Sequence, residues 1–172
     1  MLTAVDIAAT ARAAEDVRAK YLALGGALAL SDRNKRHRAL TMGAQALLVA
    51  MQRFAEQDMT ISATPADEID DSVAALDDET MREHLAEARE VTALFDEPGL
   101  IDAMRVREPS LVDPIRALLP KVKAKAAAHR AVLAFILGEP DWRELGFDAG
   151  IPIHKVGTKV SSKMTDLEDI LA

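Results

Sequence analysis

A chain of 172 residues has room for one domain that buries roughly 70% of its unfolded surface. Its apolar share is 49% but aromatics are only 3%, so Ala, Leu, Val, Ile and Met must fill the core, a composition that favours helices and predicts an all-α bundle of about four to six of them. The absence of cysteine excludes disulfides, thiolate metal sites, iron–sulfur clusters and thiol catalysis, and the net charge of −7 opposes general nucleic-acid binding.

The first helix is expected from Thr3, whose hydroxyl can cap while Asp6 stands three residues on. Ile7, Ala11, Ala14, Val17, Tyr21 and Leu24 then share one face. Gly25 and Gly26 are expected to interrupt it, because each glycine costs about 1 kcal/mol inside a helix. Ala27 to Leu30 reads as an apolar connector or a continuation after a kink. A second long helix is expected from a Ser31 cap to about Gln57, with Leu40, Ala44, Leu47, Met51 and Phe54 as its buried stripe. Its first turns hold Arg33, Lys35, Arg36, His37 and Arg38, the wrong sign for a helix N-terminus.

Met59 to Ala63 reads as a connector, and Thr64-Pro65 as a cap with proline in the first helical position. Ile69, Val73 and Leu76 mark a short helix. Asp77, Asp78 and Glu79 restart a helix with acids at its positive end, where they are favourable. Its apolar stripe is Met81, Leu85, Ala88, Val91 and Phe95, and it breaks at Asp96 to Gly99. Leu100 to Val106 is expected to add a turn or two. Pro109, Pro114 and Pro120 predict short pieces with an elbow rather than one smooth helix. The next helix is expected from Lys121 to Leu137, with Val122, Ala126, His129, Leu133 and Ile136 inside and Gly138 as its stop. Pro140 to Gly146 reads as one further turn or two.

Residues 1–150 are thus read as a bundle domain and residues 151–172 as a C-terminal arm. The arm alternates apolar and polar residues like a strand at Ile151, Ile153 and Val156, then closes on a short helix pattern. Its apolar positions are Ile151, Ile153, Val156, Val160, Met164, Leu167, Ile170 and Leu171, with Lys155, Lys159 and Lys163 between them. Thr165 and Glu168 suit a capping box. Ordering such a segment costs more backbone entropy than its own apolar burial returns, so it needs a receiving surface. Strand addition to an edge or a helix laid in a groove would both serve. Packing back on its own bundle is the plain alternative.

Charge is unevenly spread. Thr64 to Leu100 holds 12 acids against Arg82 and Arg89, whereas Arg116 to Arg130 holds five bases and no acid. Solvated helix faces explain such clusters, and head-to-tail attraction between copies is the sharper reading.

Tests for chemistry return little. None of His37, His84, His129 and His154 follows a Glu by three, so the Glu-x-x-His pair of di-iron bundles is missing. Glu83, Glu87 and Glu90 share a helix face that could hold Mg²⁺, but Lys121 to Leu137 supplies no facing carboxylate. Ser31, Ser62, Ser72, Ser110, Ser161 and Ser162 lack a nucleophile elbow. Gly25-Gly26 lacks the context of a phosphate cradle. His129 on an apolar stripe reads as a core histidine. Lys121, Lys123 and Lys125 spread around their helix rather than line it, and few aromatics remain for base stacking. A helix-turn-helix reader near Ser31 to Met51 is the residual nucleic-acid possibility.

Met1 to Asp6 lack the basic patch and apolar run of a secretion signal. No stretch reaches ~18 uninterrupted apolar residues, so no membrane partner is expected. The expected location is the cytoplasm, or a particle assembled there. The first reading is a non-catalytic assembly or adaptor subunit, without cofactor or metal, that self-associates and grips another protein through its arm. Small helical head–tail adaptors of tailed-phage particles share this layout, an analogy of architecture without a shared motif. The alternatives are an intracellular helical regulator that binds a protein or small ligand, and a small Mg²⁺-dependent enzyme using Glu83, Glu87 and Glu90.

Overall fold

A computed structural model describes residues 2–57, 70–96 and 99–139. Among these the chain forms α1 (Ala4–Leu28), α2 (Arg33–Ala55), a 3-10 turn (Asp71–Ala75), α3 (Asp78–Asp96), α4 (Gly99–Arg107) and α5 (Pro109–Leu137). The protein is an all-α helical bundle. The expected arm, the Thr64-Pro65 cap, Ile69 and the turns from Pro140 lie outside the described residues.

Four long helices close into a square. α1 packs on α2 and α3, and α5 packs on the same two from the opposite corner, while α4 lies against α5 and α1. The ends fix the directions. The N–H of Asp70 donates to the carbonyl of Leu2, joining the starts of α1 and of the 3-10 turn (2.7 Å). His37 meets Glu108, joining the starts of α2 and α5. Lys125 reaches the carbonyl of Gln57 beyond the end of α2. Hence α1 and α3 run one way, and α2 and α5 the other.

The start of α1 is a full capping box. Thr3 Oγ1 accepts from the Asp6 N–H (3.2 Å), and Asp6 Oδ2 accepts from the Thr3 N–H (2.9 Å). The expected interruption at Gly25 and Gly26 does not occur, and α1 runs on to Leu28. Both glycines fall in its last turns, where fully buried Leu24 and partly buried Leu28 hold the helix on the core and offset the glycine penalty. The α2 cap is Asp32 rather than Ser31, its carboxylate accepting from the Lys35 N–H at 2.9 Å. Gly43 faces α1 closely: a Cβ there would stand 2.8 Å from Leu24 Cδ2.

The proline expectation is also corrected. Pro109 opens α5, and Pro114 and Pro120 sit inside one continuous helix. All three prolines are exposed, and so are Ser110 and Arg116, whose carbonyls lose their usual partners. Water can satisfy those carbonyls, while buried Val112, Ile115 and Val122 hold the other side of the helix on the core. Gly138 ends α5 in the left-handed conformation at φ 72°, as glycine after a helix allows.

The core has two parts. The larger takes Val17, Tyr21 and Leu24 from α1, Leu40 to Phe54 from α2, Val91 and Phe95 from α3, Met104 from α4 and Val112 to Ala126 from α5. Tyr21 and Phe95 meet edge to face at 5.2 Å between ring centres. The smaller part gathers Leu2, Ile7, Val73, Met81, Leu85, Val132 and Leu133 at the end where α1 and α3 begin. The predicted stripes of α1, α2 and α3 are buried throughout, and that of α5 is buried except for half-buried Ile136.

Candidate functional site

The anticipated contact residues Ile151, Ile153, Lys155, Val156, Lys159, Val160, Met164, Leu167, Ile170 and Leu171 lie outside the described residues. The bundle itself offers four features against which a function can be weighed.

The first is the start of α2, built by the tight turn after α1. Arg36 donates to the Leu30 carbonyl at 3.0 Å, which ties the turn. His37 Nδ1 faces the Glu108 carboxylate, so one histidine of the cluster has an acidic partner from α5. Arg33, Lys35 and Arg38 form no ion pair among the described residues. A polar hollow of about 620 Å³ lies here, lined by Arg33, Asn34, Arg36, His37, Leu40 and Glu108.

The second is acidic and stands where α3 begins. Asp70 accepts from the Ser72 N–H at 2.8 Å, and Ser72 holds its carboxyl below the usual range. Asp77 accepts from the N–H and hydroxyl of Thr80 (3.2 Å each), which makes it the cap of α3. Asp71, Asp78, Glu79 and Glu83 are exposed and form no ion pair among the described residues.

The third is the carboxylate face of α3. Arg18 on α1 meets Glu87 at 2.6 Å and Glu90 at 3.0 Å, and the Glu87 bond raises its pKa further. A cation seated on this face would first have to displace a guanidinium. No group of three or more His, Asp or Glu side chains among the described residues is arranged to hold a metal ion. Beside Arg18 lies a cleft of about 470 Å³, lined by Tyr21, Leu22, Glu90, Ala93, Leu94, Gly99 and Leu100. Leu22 on its wall is 54% exposed.

The fourth is His129. It is fully buried, and neither ring nitrogen has a hydrogen-bond partner. Burial, with a smaller contribution from His84, pushes its pKa from 6.5 down to about 3. It is therefore a neutral ring at physiological pH, set in the core as the apolar stripe predicted. The other buried polar side chain among the described residues, Thr10, donates to the Asp6 carbonyl of its own helix at 2.8 Å.

In the basic stretch from Arg116 to Arg130, Arg116 and Lys121 are exposed, whereas Lys123, Lys125 and Arg130 are partly buried. Arg116 pairs with Asp102 at 2.9 Å, and Lys125 donates to the Gln57 carbonyl. No helix among the described residues is long and apolar enough to cross a membrane. Comparison with family models, with curated proteins and with solved structures finds no match to this chain. Among these features, reading the sequence did not anticipate Arg18 between Glu87 and Glu90, nor the cleft beside it. Both depend on how α1 and α3 are juxtaposed, and no spacing within either helix encodes that.

Proposed function

We propose that the protein is an assembly or adaptor subunit whose C-terminal segment, residues 151–172, docks on a neighbouring copy. The observation that carries this is the cleft between α1, α3 and α4, on whose wall Leu22 is open to solvent. Leu94 and Leu100 continue its apolar wall, and the Arg18–Glu90 ion pair forms its polar rim. Ile151, Ile153 and Val156, interleaved with Lys155 and followed by Lys159, have the chemistry to lie in such a cleft, apolar side chains inward and ammonium groups toward solvent. Among the described residues the apolar stripes pack on one another in two clusters. Head–tail adaptors of phage particles remain an analogy of layout, without a match to support it.

Light scattering on the full chain and on a chain lacking residues 151–172 tests the reading. The truncated chain is expected to keep its helical circular dichroism while its weight-average mass falls, and Leu22→Asp in the full chain is expected to lower the mass as well. If truncation lowers the melting temperature and leaves the mass unchanged, the segment serves its own bundle and the proposal fails.

A further inference from the structure

We infer that the bundle also associates end to end with a second copy of itself, the basic start of α2 on one molecule meeting the acidic start of α3 on the next. This rests on the assembly reading and adds a contact that does not use residues 151–172.

The two clusters stand at opposite ends of the molecule. α2 begins directly after α1 ends, whereas the 3-10 turn before α3 is tied to the start of α1 through Leu2 and Asp70. The 25 residues of α1 therefore separate them, about 37 Å of helix. That distance is several times the Debye length of about 8 Å at physiological ionic strength. Within one chain the two clusters cannot neutralise each other.

The basic cluster is the one that demands a partner. Acids at the start of α3 suit the positive end of that helix's dipole and so have a local explanation. Arg33, Lys35 and Arg38 stand at the positive end of α2, where the local dipole repels them, and no carboxylate among the described residues pairs with them. Asp71, Asp78, Glu79 and Glu83 supply an equally unpaired surface of opposite sign. Bringing one end onto the other is a heterologous contact, which repeats along a row or closes into a ring. Its attraction should be long-ranged, fast to form and strongly salt-dependent.

The test uses the full chain carrying Ile153→Asp and Val156→Asp, so that the segment proposed above to dock contributes nothing. Its sedimentation is compared at about 10 mM and about 1 M ionic strength, where the Debye length falls from about 30 to about 3 Å. The expected result is a mass above 18.6 kDa that returns to the single-chain value in high salt. Reversing the basic end (Arg33→Glu, Lys35→Glu, Arg38→Glu) should weaken low-salt association at least about tenfold. It should not lower the melting temperature, because acids suit a helix start. Reversing the acidic end (Asp71→Lys, Glu79→Lys, Glu83→Lys) should do the same to association. Mixing the two reversed proteins should restore it, since each then offers the end the other lacks.

Low-salt mass equal to one chain, mass that ignores salt, or a mixture that stays single would each overturn the inference. Binding of the intact basic end to a different acidic protein, without self-association, would overturn it too. Should truncation of residues 151–172 leave assembly untouched while the salt-sensitive contact persists, the docking proposal fails alone.

Discussion

The two parts of the core are built by different rules. The larger is enclosed on four sides by α1, α2, α3 and α5 and closed over by α4, so each helix needs only one apolar stripe. The smaller draws nothing from α2, which ends at Ala55, and it takes Leu2 and Val73 from outside the long helices to complete its wall. His129, fully buried with two unpartnered nitrogens, stands on α5 between Ala126 of the larger part and Val132 of the smaller. A four-sided core is specified by periodicity. A three-sided one depends on segments that periodicity does not describe.

The contrast can be broken first in the larger part. Phe54 is fully buried there, and Phe54→Ala should cost about 3–5 kcal/mol in a denaturant melt, enough to threaten the whole bundle. A loss below about 1 kcal/mol would mean that the larger part does not carry the stability assigned to it.

The acid response comes next. The folded-state pKa of His129 lies below its unfolded value, so the unfolded chain takes up the proton more readily. Its neutral form is compatible with the fold in full above about 6.5, and stability falls as pH drops from there toward about 3. The slope from this one group approaches about 1.4 kcal/mol per pH unit within that window. His129→Leu should remove that component and raise stability at neutral pH by about 1–3 kcal/mol, because two unpaired polar atoms leave the core. Urea melts at several pH values, compared between the two proteins, decide it. Parallel slopes would show that His129 does not govern the acid response.

The smallest effect belongs to the start of α1, beside the smaller part. Thr3→Ala removes the cap of the Asp6 N–H and should cost about 1 kcal/mol, read as a modest fall in melting temperature. A change as large as that of Phe54→Ala would mean that Thr3 does more than cap the Asp6 N–H.

Much of this architecture was legible in the residues. The stripes at Ile7 to Leu24, Leu40 to Phe54 and Met81 to Phe95 are the core, because spacing alone decides which side chains a helix turns inward. The Thr3 and Gly138 signals held, since capping and left-handed termination are local chemistry. Prolines 114 and 120 misled because residue type alone marks them as breakers, whereas both fall on the exposed side of α5, where freed carbonyls tolerate what buried ones would not. Between Ala126 and Ala134 burial surrounds α5, reaching Ala127, Ala131 and Ala134, which a single-stripe reading leaves outside. The unpaired charges of α2 and α3 were visible as runs, but their placement at opposite ends required the antiparallel hairpin of α1 and α2. Residues 151–172 lie outside the described residues, and the cleft proposed to receive them was not legible in the sequence.

Ser72 gives α1 a borrowed beginning. Its hydroxyl accepts the N–H of Ala4 at 3.1 Å, and the Asp70 N–H returns a bond to Leu2, so one donor at each site is satisfied by the other. Beside its local capping box, the first helix thus takes the partner of one N–H, that of Ala4, from a residue 68 positions downstream. The front of the chain and the approach to α3 are thus tied to each other, and parting them would break a bond at both.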